Sequence, residues 1–203
     1  MYLLQEILHF GTGRNSEAVK RLNWIHSLMQ PNPGFVCAQI CSYLGNSSRH
    51  LILRMWDDKA SFQAFRATPE GSSYAKNRPE GIYESQPVGR EWEDIIDTPG
   101  TEKGNFMIRG VFDIAEGRWD DYITLRKGQD KVHQATGGLQ YSRNYRQLDE
   151  ENLALMLIRK TNREDHLKYM ESPTLAELRT TGPQGTFTAK GNEYYEIIDE
   201  VMK

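Results

Sequence analysis

The pattern of apolar and polar residues in the first half of the chain predicts the element order β-α-β-β-α-β. Stretches of strand formers alternate with apolar residues at helical spacing, and Gly, Pro or Asn residues stand at most boundaries. The predicted elements are a strand at 2–10, a helix from 15 or 16 to 29, strands at 35–44 and 50–56, a short helix capped by residue 57 or 58, an irregular stretch at 68–79, and a long strand at 82–96 that bends near Pro87 and Gly89.

The second half of the chain repeats this pattern about 104 residues later. Gly13 corresponds to Gly117, and Leu53 corresponds to Leu157. A repeat of this length indicates a duplicated domain rather than a solenoid. We therefore expect a first repeat at 1–97, a polar linker at 98–104 that contains Pro and Gly, and a second repeat at 105–203.

The order β-α-β-β-α-β is typical of a ferredoxin-like unit, whose antiparallel sheet carries helices on one face. The other face of such a sheet must also be covered. A second copy in the same chain can cover it. The prediction is thus an α+β fold of two tandem ferredoxin-like repeats, packed sheet to sheet as a pseudo-dimeric barrel.

Composition narrows the class of protein without naming a function. The 203 residues carry a formal net charge of −3, with no basic stripe for nucleic acid and no polybasic segment for a membrane surface. No signal-peptide pattern opens the sequence, so a cytoplasmic protein is expected. Cys37 and Cys41 lie about 13 Å apart along a predicted strand, which is too far for a disulfide, so both are predicted to be small buried residues. No metal-ligand spacing is present.

One segment resembles a known family. Residues 51–62, Leu-Ile-Leu-Arg-Met-Trp-Asp-Asp-Lys-Ala-Ser-Phe, are similar to the third strand and second helix of the dimeric α+β barrel superfamily, most closely its antibiotic-biosynthesis-monooxygenase-like group. Pro33-Gly34-Phe35 fits the opening of the second strand. In the second repeat Lys160 replaces Trp56. The resemblance implies a cavity between sheet and helices in each repeat. Known members include cofactor-free monooxygenases of polycyclic phenols, haem-degrading monooxygenases and proteins without known activity.

The haem-degrading branch of this family implies an Asn on the first strand, a Trp on the second helix and an iron-ligating His soon after it. Neither repeat has that His at the matching position, which argues against haem degradation unless another His has taken its place. The expected cofactor is therefore none. The three positions hold Ile7, Phe65 and Ala75 in the first repeat and Val111, Tyr169 and Arg179 in the second.

His9 is the candidate catalytic residue. It lies two positions beyond Ile7 and therefore shares its strand face, which we expect to line the cavity. An imidazole titrates near neutral pH and can act as a base toward an acidic phenol. Its counterpart Asp113 is also ionisable. The alternative for His9 is a partly exposed residue at a strand end.

Aromatic residues supply the other candidates for a substrate-binding surface. Trp56 forms either a cavity wall or an aromatic plug between helix and sheet, and Trp24 has the same two interpretations. Tyr145 could donate a hydrogen bond to a substrate oxygen or pack across strands. The remaining histidines are predicted to lie at the surface; they are His26, His50, His133 and His166.

These residues favour a monooxygenase-like protein that acts on or binds a small aromatic molecule without a cofactor. His9 would be its base and Trp56 its wall, and a single active site would lie in the first repeat. The alternative is a non-catalytic binding or interaction module whose interior is filled by side chains; haem degradation is the third possibility. The expected state is a monomer with an internal pseudo-dimer, or a homodimer.

Overall fold

The computed structural model describes residues 1–76, 81–84 and 87–203, with side chains from 74 to 76 excepted. The two β-α-β-β-α-β repeats are confirmed, and each carries one helix more than the sequence predicts. The elements are β1 (Tyr2–His9), α1 (Asn15–Met29), β2 (Phe35–Tyr43), β3 (Arg49–Trp56), α2 (Lys59–Ala67), α3 (Pro69–Lys76), β4 (Val88–Pro99), β5 (Phe106–Ile114), α4 (Trp119–Ala135), β6 (Leu139–Gln147), β7 (Leu153–Lys160), α5 (Arg163–Met170), α6 (Pro173–Thr181) and β8 (Phe187–Met202).

The chain divides into two compact units. The first unit comprises Met1–Trp92 and Glu196–Lys203, and the second comprises Glu93–Tyr195. The long strands β4 and β8 each contribute residues to both units. The boundaries of the repeats as units of duplication stay a prediction.

The same sheet is built in both units. In the first, β3 lies antiparallel between β1 and β2, with Tyr2 opposite Trp56 on one side and Phe35 opposite Trp56 on the other. In the second, β7 lies in the same way between β5 and β6. The register shifts after Phe35 and after its counterpart Leu139, so even the irregularity is duplicated. Together with β4 and β8 the strands follow the order β1-β3-β2-β8-β5-β7-β6-β4 in a closed barrel, which confirms the predicted fold.

The core of the first unit lies between α1, α2 and one face of the sheet. Because side chains alternate along a strand, Tyr2 and Leu8 of β1 and Phe10 just after it all join this core. Trp56 at the end of β3 is fully buried. Its ring stacks on Phe65 at a centroid distance of 5.6 Å. The apolar side chains of α1 thus pack on an aromatic floor.

The irregular stretch predicted at 68–79 contains the helix α3, so that prediction is wrong for its described part; residues 77–79 lie outside the described residues. Thr68 explains the start of this helix, because its Oγ1 accepts a hydrogen bond of 3.0 Å from the backbone N–H of Gly71. Helix α6 begins without a side-chain cap from Ser172, and Pro173 stands in its first turn. The following strand begins at Val88 rather than at residue 82.

Local predictions about capping and cysteine chemistry are confirmed. Asp58 caps α2 by accepting a hydrogen bond of 2.7 Å from the backbone N–H of Ser61. Cys37 and Cys41 are free and buried. In the described ranges, no helix combines the length and apolar character needed to span a membrane.

Candidate functional site

The four histidines predicted to lie at the surface are all buried, so that prediction is wrong. His26 and His50 lie in the first unit, and His133 and His166 in the second. Each imidazole lies on the inward side of a helix or at a strand end. Its element buries apolar residues on the same side, so the imidazole is buried with them. The two histidines of the second unit belong to a larger group of buried polar residues.

This group, the polar cluster, occupies the space between helices and sheet in the second unit. All of its members are buried. With one exception, the corresponding residues of the first unit, 104 positions earlier, belong to the apolar core described above. The cluster consists of Tyr122, Arg126, Gln129, Asp130, His133, Ser142, Asn144, Lys160, His166 and Tyr169, which correspond to Ala18, Leu22, Ile25, His26, Met29, Ala38, Ile40, Trp56, Phe62 and Phe65.

Asn144 on β6 links the cluster to α4. Its Oδ1 accepts two hydrogen bonds of 3.0 Å, one from the hydroxyl of Tyr122 and one from Nε of Arg126. Nη1 of Arg126 donates to Oε1 of Gln129 one turn along the same helix. Nη2 of Arg126 and Nδ2 of Asn144 have no hydrogen-bond partner among the described residues, although both atoms are buried. Such buried donors are costly unless a ligand or water satisfies them.

Asp130 provides the buried carboxylate of the cluster. Its Oδ1 accepts a hydrogen bond of 2.6 Å from Ser142 on β6, and its Oδ2 accepts one of 2.9 Å from Thr98. Both oxygens are therefore held by hydroxyl groups. These bonds fix the position of α4 on the sheet of the second unit.

Aromatic and cationic side chains stack at the end of the cluster nearest α5. The rings of His133 and Tyr169 lie parallel, with centroids 3.4 Å apart. Lys160 lies 6.0 Å from the same tyrosine ring and donates a hydrogen bond of 2.8 Å to the carbonyl of Gly137. Neither ring nitrogen of His133, nor Nδ1 of His166, has a described hydrogen-bond partner.

Burial and positive neighbours keep these imidazoles neutral. Burial, followed by the charge of Lys160, lowers the pKa of His166 to about 4. Burial, followed by Arg126, lowers the pKa of His133 well below its usual range. Burial also lowers the pKa of Lys160 to about 8 and raises that of Tyr169. At neutral pH the two histidines are thus neutral hydrogen-bonding groups, and Tyr169 keeps its proton.

A cavity of about 380 Å³ lies beside the polar cluster, within the second unit. Its floor is the sheet and its walls are α4, α5, α6 and the loop from Gly182 to Thr186. Arg126, Gln129, His166 and Tyr169 supply polar groups on one side of it. The remaining lining is largely apolar and includes Ile108, Phe112, Leu125, Met156, Leu178 and Phe187. Apolar walls with a few converging polar groups are typical of a small-molecule site.

Among the residues that the structure describes, the equivalent place in the first unit retains about 20 Å³, and most of its lining residues correspond to residues that line the large cavity. The difference begins at the ion pair there between the partly buried Glu6 and the buried Arg54. Their counterparts are Gly110 and Ile158, which carry no charge and less volume. The cavity of about 380 Å³ lies in the second unit, whereas the sequence predicts a single site in the first.

His9 and Ile7 share a face of β1, as predicted, but it is the face turned away from α1. Glu6 and Leu8 line the small space beneath the helix, and successive strand residues point to opposite faces. The same holds for Asp113, whose neighbour Phe112 lines the cavity. Asp113 is exposed and pairs with Lys190 at 2.8 Å. A one-residue error in choosing the face moves every side chain to the other side.

The aromatic candidates also lie away from the cavity. Trp56 is the core plug of the first unit, in contact with Phe35, Phe62 and Phe65. Trp24 is exposed on α1, next to Arg21. Tyr145 is fully buried, but its neighbour Asn144 faces α4, so Tyr145 belongs to the opposite face of β6. The structure brings none of the predicted site residues into the cavity of the second unit.

Sequence reasoning missed the residues that do line the cavity. A signal for them exists in the duplication, because Leu22 and Ile25 of α1 correspond to Arg126 and Gln129 of α4. Where the buried face of the helix is apolar in one repeat and polar in the other, the polar side chain does not serve to fill an apolar core. Reading the two repeats position by position for polarity would have found the site.

Comparison with solved structures identifies the fold. A candidate monooxygenase from Fusobacterium nucleatum superposes with a TM-score of 0.82 and 10% identity, covering 100% of this chain and 94% of that one. An anthrone oxidase-like protein gives 0.64 and 12%, over 99% and 92%. LmHde, a haem-degrading enzyme from Listeria monocytogenes, gives 0.56 and 10%, over 97% and 99%. The chain has a dimeric α+β barrel-like fold. No family model and no curated protein matches it.

Proposed function

We propose that the second unit binds a small hydroxylated aromatic molecule in its cavity and oxygenates it without a cofactor. The observation that carries this proposal is the pairing of a cavity of about 380 Å³ with buried polar groups, at positions where the first unit has packed apolar side chains. Retaining unpartnered polar atoms in an interior costs stability, so their presence beside an open cavity favours a ligand. The candidate monooxygenases among proteins of this fold support the reaction class.

The cavity suits a flat ring system. Ile108, Phe112 and Phe187 provide apolar surface on the sheet side, and Leu125 and Leu178 provide it on the helix side. The volume lies near the lower end of the range for ligand pockets, which favours two or three fused rings over a macrocycle. An electron-rich aromatic ring packed in this way is shielded from water on both faces.

The reaction needs no added reductant. A phenol reacts with one O₂ to give a quinone and one water; one oxygen atom enters the ring and the other leaves as water. The four electrons that reduce O₂ come from the substrate, and two of its hydrogens end in the water. The protein has to hold the hydroxyl group, favour its ionisation and keep the ring accessible to O₂.

His166 and Tyr169 would hold the substrate hydroxyl. His166 lines the cavity, and no described residue is a hydrogen-bond partner of its Nδ1, so the neutral imidazole accepts or donates one hydrogen bond as the substrate requires. Since its pKa is lowered to about 4, it orients the hydroxyl but does not retain the proton, which passes to solvent. Protonated Tyr169 can donate to the oxygen as negative charge develops.

Oxygen uptake with defined probes tests the proposal. With 1-naphthol or anthrone, wild-type protein should consume one O₂ per quinone formed, and ¹⁸O₂ should label one oxygen of the product. His166→Phe and Tyr169→Phe introduce the residues of the first unit at the same positions. Each should lower kcat/KM by about tenfold, the effect of losing one hydrogen bond of about 1.4 kcal/mol.

His50→Phe provides the matched control for these variants. His50 is also a buried histidine stacked on an aromatic ring, 3.9 Å from Phe10, but it lies in the first unit. Its replacement should leave oxygen uptake unchanged. Absence of both binding and oxygen uptake with every hydroxyarene would refute the proposal. Binding without uptake would support the alternative, a non-catalytic binding module.

Haem degradation is a weaker alternative. It can be tested because His166 lines the cavity. The positions that the haem-degrading branch uses for its ligand set do not fit, since Val111 faces away from the cavity and Arg179 stands in the place of the iron-ligating His. Among the described lining residues, His166 supplies the one imidazole. Titration with haem should give no Soret shift; a shift that His166→Phe abolishes would favour this alternative instead.

A further inference from the structure

We infer that the natural ligand of the second-unit cavity is an organic anion whose carboxylate binds Arg126. This inference rests on the proposed function and adds the charge of the ligand to it. It is carried by one buried guanidinium, its neutral partners and the composition of the cavity lining.

Arg126 is a buried cation whose protein partners are neutral. The residue is 5% exposed, and its two hydrogen bonds go to the amide oxygens of Asn144 and Gln129. Asp130, one turn along the helix, instead accepts from Ser142 and Thr98. A buried charge is normally paired, because its desolvation is expensive. Among the residues that the structure describes, no carboxylate is in ion-pair contact with Arg126, which favours a negatively charged ligand.

The guanidinium has a donor available for such a ligand. Its Nη2 is buried and has no hydrogen-bond partner among the described residues, and the side chain lines the cavity. Carboxylates are the usual partners of arginine donors, with hydrogen bonds roughly twice as strong as those between neutral groups. Asn144, whose Nδ2 is also unpartnered, lies against the same guanidinium.

The cavity lining is positive as a whole. The described residues that surround it include Arg126 and Arg179 but no Asp or Glu. Arg179 is exposed on α6, so the second charge lies where the cavity meets solvent. A site with one buried and one exposed cation attracts anions and disfavours cations.

The first unit shows how the same fold accommodates a buried arginine without a ligand. Arg54 is 2% exposed, and its guanidinium pairs with the carboxylate of Glu6 in the same interior. In the second unit, Gly110 stands at the position of Glu6. Ile158 stands at the position of Arg54, and the buried arginine of this unit, Arg126, lies on α4 rather than on a strand. The carboxylate that completes the pair in the first unit is thus absent from the second, and a ligand carboxylate would take its part.

A pair of nearly isosteric probes separates charge from ring binding. 2-Naphthoate and 2-naphthamide differ by the charge of one group, and their dissociation constants can be measured by isothermal titration at pH 7.5. Wild-type protein should bind the naphthoate at least tenfold more tightly than the amide. In Arg126→Met this preference should vanish, while the affinity for the amide changes by less than about threefold.

Two further variants secure the interpretation. Arg66→Met removes an exposed arginine of the first unit, at the position where the second unit has Met170, and should keep the full preference. Arg126→Lys keeps the charge but loses the planar donor group, so an intermediate preference is expected even if Arg126→Met fails to fold.

The outcomes distinguish this inference from the proposed function. Equal binding of both probes by wild-type protein, or a preference that survives in Arg126→Met, overturns the inference and leaves ring binding in place. If neither probe nor any hydroxyarene binds, the inference and the proposed function fall together.

Discussion

The two units have the same backbone plan but different interiors. Between α1 and its sheet, the first unit has an apolar core that contains Trp56, and the buried Arg54 beside it is paired with Glu6. Between α4 and its sheet, the second unit has the polar cluster and an open cavity. The same fold thus encloses a packed apolar interior in the first unit and a polar interior with a cavity in the second.

The polar cluster contains several unsatisfied buried atoms. It leaves both ring nitrogens of His133 and one donor each of Arg126 and Asn144 without described partners. Each such atom reduces stability by about 1–3 kcal/mol relative to a satisfied one. The first unit has apolar residues at these positions, although other buried polar atoms there, such as Nε2 of His26, also lack a described partner.

The largest expected effect comes from removing the plug of the first unit. Trp56→Ala should reduce the free energy of unfolding by about 3–5 kcal/mol, because a fully buried ring that contacts three aromatic side chains leaves a cavity. Lys160→Met, at the same position of the second unit, should cost only about 1–3 kcal/mol, the loss of one hydrogen bond to Gly137. Urea denaturation followed by circular dichroism measures both.

Trp24→Ala is the control for this comparison. Its ring is 44% exposed on α1, so the change should stay within about 0.5 kcal/mol. Should Lys160→Met prove as costly as Trp56→Ala, the second interior would be as tightly packed as the first, contrary to the difference described above.

The sequence was sufficient for the fold because the repeat and the periodicities agree. Strand alternation, helix spacing and the turn residues all favour one element order, and the same order recurs in the second repeat. The helices α3 and α6 were missed because Gly71, Ser72 and Ser73 resemble a loop composition, while the capping by Thr68 that starts α3 is a tertiary detail.

A smaller effect is expected from the pH dependence of stability. His133 and His166 are neutral in the folded protein because burial lowers their pKa, whereas in the unfolded chain they titrate near 6.5. As the pH falls below about 7, the unfolded chain binds protons that the folded protein does not, so stability falls, and for His166 it continues to fall until about pH 4. Each group contributes a slope of up to about 1.4 kcal/mol per pH unit.

Replacing each histidine with the residue of the first unit isolates its contribution. His133→Met and His166→Phe should each flatten the dependence of unfolding free energy on pH between 6 and 5 by about 1 kcal/mol per unit. A slope remains in the double variant, because His26 and His50 of the first unit are also buried with lowered pKa values. An unchanged slope in both single variants would show that these imidazoles are protonated in the folded protein.

The site could not be read from residue types alone, because its position depends on which strand face meets the helices. His9 and Asp113 were chosen for their chemistry and a shared face, and that face is the one turned away from α1 and α4. The alternation of burial along β1 and β5 does not resolve the choice, since both faces of these strands are largely buried. The substitution pattern between repeats does resolve it, since buried apolar residues of the first unit are replaced by polar ones on the inward face of α4 and on the facing side of β6 and β7.

The smallest effects are expected at the residues that sequence reasoning placed in the site. His9→Ala and Asp113→Asn should leave the affinity for 2-naphthoate within about twofold of wild type, because both side chains belong to the strand face opposite to the helices. Asp113→Asn should also change the free energy of unfolding by less than about 0.5 kcal/mol, since its pair with Lys190 is exposed and 2.8 Å long. A tenfold loss of binding in either variant would place a functional group on the opposite face and end the assignment of the site to the polar cluster alone.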